Sequence, residues 1–173
     1  MAKLNIVLYE PEIPQNTGNI MRSCVAGGAS LHLIKPLGFS LDDKHMKRSG
    51  LDYVQYLNYT VYENWEEFLS KNEGEFYFLT RYSKKCYSDF NLSDSSKNHY
   101  FVLGHEHDGI PHEILKDNLE RCMRIPMSGN VRSLNLSNCA MMILYEALRQ
   151  QNYNELLKDE PHKSVTFIED FED

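Results

Sequence analysis

Three polar clusters, far apart in the chain, carry the residue types that could do chemistry. The first is Pro14-Gln15-Asn16-Thr17-Gly18-Asn19-Ile20-Met21-Arg22. The second is Leu103-Gly104-His105-Glu106-His107-Asp108-Gly109-Ile110-Pro111. The third runs from Ile125-Pro126-Met127 through Arg132-Ser133-Leu134-Asn135-Leu136-Ser137-Asn138. The first and third lead straight into apolar runs of helical period. The first turn of a helix has free N–H groups, so a polar cluster there is a ready grip for an anion or a ribose. Two such grips at opposite ends of a short chain predict one composite site.

Each cluster also has a plainer reading. Asn16 could be an ordinary helix cap and Arg22 a surface cation, although an Arg can also hold a phosphate bidentately. Gly104 lets a ligand approach the backbone. The turn around it could equally be a solvated polar loop. His105, Glu106, His107 and Asp108 are of metal-ligand type, but neighbours in one tight turn seldom converge on an ion. No distant Cys or His pair completes the set, so no metal is expected. In the third cluster either Ser133 or Asn135 could cap the long helix. One helix needs one cap, and the surplus polar groups point to a ligand. Ser133 has no adjacent base, and neither a Walker-type Gly-Lys-Ser/Thr nor a G-x-G-x-x-G is present.

These clusters need elements to position them. Leu4 to Tyr9, Leu31 to Ile34, Phe76 to Thr80, Tyr100 to Leu103 and Cys122 to Pro126 read as strands, and Tyr53 to Val61 as extended. Helices are predicted from Asn16 to Ala26, from Trp65 behind an Asn64 cap with Glu67 as its capping-box partner, from Pro111 to about Leu119, and from Asn135 to Gln151. Residues 44–49 could form a short helix, and residues 82–98 a loop with one turn. Strands alternating with helices predict an α/β domain with a mainly parallel sheet, whose ligands sit beyond the carboxyl ends of the strands.

The bulk numbers leave this reading room. At 173 residues, 42% hydrophobic and 25% charged, the chain suits one ordinary globular domain. Its four cysteines, Cys24, Cys86, Cys122 and Cys139, are scattered, which suggests reduced thiols and a cytoplasmic setting rather than a disulfide scaffold or zinc finger. No stretch is long and apolar enough to span a membrane, and the first strand begins too early for a signal peptide. The net charge of −7 argues against nucleic acid, but residues 155–173 alone carry −5, leaving −2 for the rest. A domain over residues 1–154 with an acidic tail is therefore expected. Lys44, Lys47 and Arg48, then Arg81, Lys84 and Lys85, could give it a basic face.

In this order, the three clusters resemble the motifs of the SPOUT superfamily of RNA methyltransferases. The likeness is closest to the tRNA (cytidine/uridine-34)-2′-O-methyltransferases. It begins at Leu4-Asn5-Ile6-Val7-Leu8-Tyr9-Glu10-Pro11, passes through Pro36-Leu37-Gly38-Phe39 and Arg48-Ser49-Gly50-Leu51-Asp52-Tyr53, and ends with the long helix. The resemblance implies an α/β fold with a deep C-terminal trefoil knot, a rare exception to unthreaded topology. It implies S-adenosyl-L-methionine as cofactor, held by Leu79, Gly104, Ile125 and Ser133. It implies catalysis by Arg22, Asn16 and Asn135, with Arg22 reaching the cofactor of the other subunit of a homodimer. The substrate would be the wobble ribose in a tRNA anticodon stem-loop, with Glu106, Arg48 and Tyr145 on the RNA side. The chain departs from the family at Leu103, where Phe is usual, at His105, where Pro or a small residue is common, and at Asp108, where Arg is frequent. An anion for a cation lowers the expected attraction for phosphate. Two further readings are a non-catalytic cofactor-binding protein of RNA or ribosomes, and an unrelated nucleotide-binding α/β module. Methylation of another RNA ribose is a third.

Overall fold

A computed structural model describes residues 4–41, 55–163 and 166–170, and helices are numbered here among these residues. Six strands form one sheet: β1 (Leu4–Tyr9), β2 (Ser30–Ile34), β3 (Tyr59–Tyr62), β4 (Glu75–Leu79), β5 (His99–Leu103) and β6 (Cys122–Met123). Their order is β3-β2-β1-β5-β4-β6, and every pairing is parallel. The helices are α1 (Pro14–Gly27), α2 (Trp65–Lys71), α3 (His112–Lys116) and α4 (Leu136–Gln150).

The strands are apolar because both faces of the sheet are covered. Successive side chains of β1 alternate between two cores: Leu4, Ile6 and Leu8 face α1 and α4, while Val7 faces the opposite side. On the first face Ile20, Met21 and Cys24 of α1 meet Ile143, Leu144 and Ala147 of α4 over Leu31, Leu33, Phe101 and Leu103. The other core is aromatic, with Phe68 of α2 against Tyr62, Phe78 and Tyr100. Burying each such side chain is worth about 1.5–3 kcal/mol, so these two layers hold the sheet rigid.

Local signals set most boundaries. Gly28, at φ 65°, ends α1 in a left-handed cap, its N–H reaching the carbonyls of Cys24 and Val25. Asn64 caps α2 by accepting from the Glu67 N–H at 2.8 Å. The Glu67 carboxylate accepts from the Glu63 N–H, one residue before the cap, so the capping box closes one position early. Residues 82–98 form a loop with one 3-10 turn, Tyr87–Asp89. The predicted helix after Pro111 is shorter than expected, ending at Lys116 before a second 3-10 turn, Leu119–Arg121. Of the predicted strand from Cys122 to Pro126, only Cys122 and Met123 pair along β4.

One expectation needs correction. Asn16 is not a cap: α1 begins at Pro14, its capping position is Ile13, and no side chain caps it. Met141 of α4 is 39% exposed. The short helix at residues 44–49, the start of the extended Tyr53 segment, Lys44, Lys47, Arg48 and the Gly50 to Tyr53 motif lie outside the described residues.

Candidate active site

At β1 the strand order reverses: β2 and β3 follow on one side, and β5 and β4 lie on the other. In such sheets the crevice opens beyond the carboxyl ends of the strands flanking the reversal. A cavity of about 950 Å³ occupies that place. Its walls come from the ends of four strands: Tyr9 and Glu10 after β1, Leu79 to Tyr82 after β4, Leu103 to His112 after β5, and Ile125 with Met127 after β6. Ser133 to Leu136, leading into α4, close the remaining side.

All four residues expected to hold a cofactor, Leu79, Gly104, Ile125 and Ser133, line this cavity. So do Asn16, Glu106 and Asn135. The sequence separates these residues widely; parallel strand ends bring them together. Gly104 is required by space as much as by freedom. A Cβ there would lie 2.1 Å from the Gly109 carbonyl carbon and 2.3 Å from the Ile110 nitrogen. The chain after β5 folds back on itself at that point, and the Gly109 N–H donates to the His105 carbonyl at 2.9 Å.

One hydrogen-bond network joins the three clusters. Asn135 Nδ2 donates to Asn16 Oδ1 at 2.9 Å. Asn16 Nδ2 donates in turn to Glu106 Oε1 at 3.2 Å. The Glu106 carboxylate also accepts the backbone N–H groups of Glu12 at 2.8 Å and Ile13 at 3.2 Å. Asn135 is at the same time the cap of α4: its Oδ1 accepts from the N–H groups of Ser137 and Asn138 and from the Ser137 hydroxyl. The third cluster thus gives its cap at Asn135, and Ser133 stands exposed on the cavity wall. Glu106 acts as an organiser, fixing the loop after β1 to the loop after β5.

Arg22 and Tyr145 stand apart from this cavity. Arg22 is exposed on α1 and is not among the lining residues. Tyr145 is half-buried against the core of the α1–α4 layer. Of the expected basic face, Arg81 lines the cavity and donates to the Tyr82 hydroxyl at 2.7 Å. Lys85 is engaged in an ion pair with Glu120. Arg48 lies outside the described residues.

The sequence reading missed Glu12. Its carboxylate oxygens lie 3.2 Å from His105 Nε2 and 2.5 Å from His107 Nδ1. Glu12 pulls the His107 pKa up, mainly by accepting its hydrogen bond. The signal was latent: a carboxylate just after one strand and a His-x-His just after another. It becomes readable only once β1 and β5 are known to be neighbours.

The cavity can take a mid-sized ligand, since such sites run to about 300–1,000 Å³. Leu79, Leu103, Ile110 and Ile125 give the cavity apolar lining, and Glu10, Glu106, Asp108 and Arg81 give it charged lining.

Comparison with known proteins agrees with this arrangement. The SpoU rRNA Methylase family matches residues 3–145. A protein of Listeria monocytogenes serotype 4b (strain F2365), provisionally named a tRNA (cytidine(34)-2′-O)-methyltransferase, is 53% identical over 156 residues, covering 90% of this chain and 92% of its own. The tRNA (cytidine(34)-2′-O)-methyltransferase of Methylovorus glucosotrophus (strain SIP3-4) is 49% identical over 152 residues, 86% of this chain and 96% of its own. A solved structure described under the 2-OH methylation of C/U34 on tRNA superposes with a TM-score of 0.79 at 36% identity, covering 86% of this chain and 91% of the other. With its parallel sheet, its crevice at the strand reversal and the family match over residues 3–145, the chain belongs to the SpoU rRNA Methylase family.

Proposed function

We propose that this protein is a tRNA 2′-O-methyltransferase that transfers a methyl group from S-adenosyl-L-methionine to the ribose of the wobble nucleotide, C34 or a modified U34. The observation that carries this reading is the Asn135–Asn16–Glu106 network on the wall of a cavity at the strand reversal. Relatives at about half identity over most of the chain bear that activity in their names.

The cavity suits the cofactor. Its apolar lining matches an adenine, the turn packed at Gly104 contributes backbone to the wall, and the acidic lining residues favour a cationic sulfonium and ammonium. Leu79, Gly104, Ile125 and Ser133 would hold it. The bound sulfonium supplies an activated methyl group, so the transfer itself draws on no metal. Displacement would require the 2′-hydroxyl in attack geometry, its oxygen taking the methyl as the sulfur–methyl bond breaks to release S-adenosylhomocysteine, with the hydroxyl proton passing to water or an RNA phosphate oxygen. Asn16 and Asn135, locked to each other, orient the ribose. Arg22 clamps the phosphate and stabilises the developing alkoxide, since a guanidinium stays protonated in proteins and is a poor base. Glu106 keeps the two loops in register, with Arg48 and Tyr145 assigned to RNA contact.

In this reading the active unit is a homodimer packed through α1 and α4, with Arg22 serving the partner's cavity. Its exposed position on α1 and the exposed apolar Ile13, Leu134, Met141 and Met142 support that assembly. The segment after β6 forms the deep trefoil knot. Support comes from the loop after β4, which wraps the 122–124 segment: the Thr80 N–H bonds to the Met123 carbonyl, the Tyr87 N–H to the Arg124 carbonyl, and the Arg124 N–H to the Lys85 carbonyl. Residues 1–154 make the methyltransferase domain and residues 155–173 an acidic tail. The protein works in the cytoplasm, where its substrate is; no helix among the described residues is long and apolar enough to cross a membrane.

The test is transfer of a labelled methyl group from S-adenosyl-L-methionine to bulk bacterial tRNA, with nuclease mapping of the product. A 2′-O-methyl at position 34 is expected. Label at another ribose would overturn the wobble assignment, and cofactor binding without transfer would favour a non-catalytic RNA-associated role.

A further inference from the structure

Outside the amide network, two imidazoles and one carboxylate converge at the cavity mouth. Glu12 belongs to the loop after β1, and His105 and His107 to the loop after β5. Those strands are adjacent and parallel, so their carboxyl ends deliver the two loops side by side. Glu12 Oε1 is 3.2 Å from His105 Nε2, and Glu12 Oε2 is 2.5 Å from His107 Nδ1. One ligand atom from each residue lies within 4.8 Å of the others. We propose that Glu12, His105 and His107 bind a divalent transition-metal ion of zinc type, which clips the two loops together at the mouth.

The donor set decides the class of ion. Two imidazoles and a carboxylate suit zinc and its neighbours, whereas magnesium and calcium demand oxygen ligands. Zinc sits about 2.0–2.2 Å from each ligand, so ligand atoms end up roughly 3–3.5 Å apart. The present ligand atoms, within 4.8 Å of one another, must close to that spacing as the ion binds. The backbone beneath is already fixed: Glu106 holds the Glu12 N–H at 2.8 Å, and the Gly109 N–H closes the turn onto the His105 carbonyl at 2.9 Å. Three protein ligands leave a fourth position open toward solvent and substrate. The ion is held reversibly. Ligation through His105 Nε2 puts the ring proton on Nδ1, which now accepts long contacts from the N–H groups of His107 at 3.3 Å and Asp108 at 3.4 Å. Loading gives up both.

The consequence rests on the tRNA-methyltransferase reading. Glu10, Glu106 and Asp108, against the single Arg81 in the same lining, leave the cavity with an acidic excess that disfavours a polyanion. A dication beside them reverses the local sign, and its open position can take a phosphate oxygen. RNA affinity then depends on the metal, while the methyl transfer itself does not use it.

The test uses the untagged full chain, stripped with a chelator. Zn2+ is titrated by calorimetry and Co2+ by its visible absorption, which reports ligand type and geometry. One equivalent of each is expected, with about tenfold or greater weakening in Glu12→Gln and His107→Ala. His107 has 75% of its side chain exposed, so its removal leaves the fold intact, which an unchanged thermal unfolding midpoint of the metal-free chain checks. No binding in the parent chain, or equal binding in a His105→Ala/His107→Ala variant, overturns the site. Equal tRNA affinity with and without Zn2+ overturns its role toward RNA. Methyl transfer without metal binding counts against the site alone; metal binding without any methyl transfer counts against the enzyme reading alone.

Discussion

Asn135 donates its side-chain N–H to the Asn16 carbonyl oxygen at 2.9 Å, across 119 positions of sequence. That bond joins the start of α4 to the first turn of α1, and so the C-terminal cluster to the N-terminal one. Neither amide is free to rotate, because Asn135 Oδ1 is committed to capping α4 and Asn16 Nδ2 to Glu106. The pair is a rigid polar ledge on the cavity wall.

Two substitutions at position 135 separate its roles. Asn135→Ala removes both cap and link and should destabilise the fold by about 1 kcal/mol or somewhat more. Asn135→Asp keeps a capping oxygen but loses the donor to Asn16. Denaturant unfolding should show about 1–3 kcal/mol lost to the acceptor left unpaired on Asn16 with α4 still capped, while methyl transfer falls about tenfold or more. Unchanged turnover in Asn135→Asp would remove the ledge from catalysis.

Glu106→Gln tests the organiser. One amide oxygen cannot replace two carboxylate oxygens that accept from Glu12, Ile13 and Asn16, and the new NH2 faces a donor. A loss of about 1.5–3 kcal/mol is expected, as for hydrogen bonds to a charged group. The KM for S-adenosyl-L-methionine should change less than the KM for tRNA, measured in the same assay.

Gly104→Ala should be severe. The added methyl meets backbone atoms 2.1 and 2.3 Å away, which no side-chain rotation relieves. The turn after β5 must open, and S-adenosylhomocysteine binding by calorimetry should be lost, with destabilisation of about 3 kcal/mol or more. Normal binding would mean that this turn is softer than its contacts imply.

Arg22→Ala should keep S-adenosylhomocysteine affinity within about twofold and lose at least a hundredfold in turnover, the scale of one removed transition-state donor. Normal turnover would sink the clamp role.

Acid should weaken the fold through His32. Its Nε2 donates to Asn5 Oδ1 at 3.1 Å, and its Nδ1 accepts from the Tyr62 hydroxyl at 2.9 Å. Burial pushes its pKa down to about 4 from 6.5. Above the unfolded value both states are neutral and the contribution is complete. As pH falls toward the folded value, the unfolded chain takes up a proton that the native site refuses. Stability should therefore drop by about 2 kcal/mol from about pH 7 to about pH 5, in excess of the drop in His32→Gln. Parallel pH profiles for the two chains would refute this.

Much of this protein was legible from its sequence, because local physics writes local patterns. The apolar runs at Leu4 and Tyr100, the Asn64 cap, the glycines after the first helix and the alternation of strand with helix set the α/β class and placed each cluster at a strand end or helix start. The family resemblance, rather than local pattern, singled out Leu79, Gly104, Ile125 and Ser133, and all four line the cavity. What the sequence left undecided depends on which strands are neighbours. Strand order placed β1 beside β5, and with it Glu12 beside His105 and His107, a juxtaposition that no spacing rule encodes. Tertiary packing also decided the caps: it made Asn135 the cap of α4 while bonding it to Asn16 on the cavity wall, and it denied Asn16 the cap of α1. A cap is a contact within one turn of chain, so sequence can propose it. A ledge of two amides from opposite ends of the chain exists only when the sheet between them has closed.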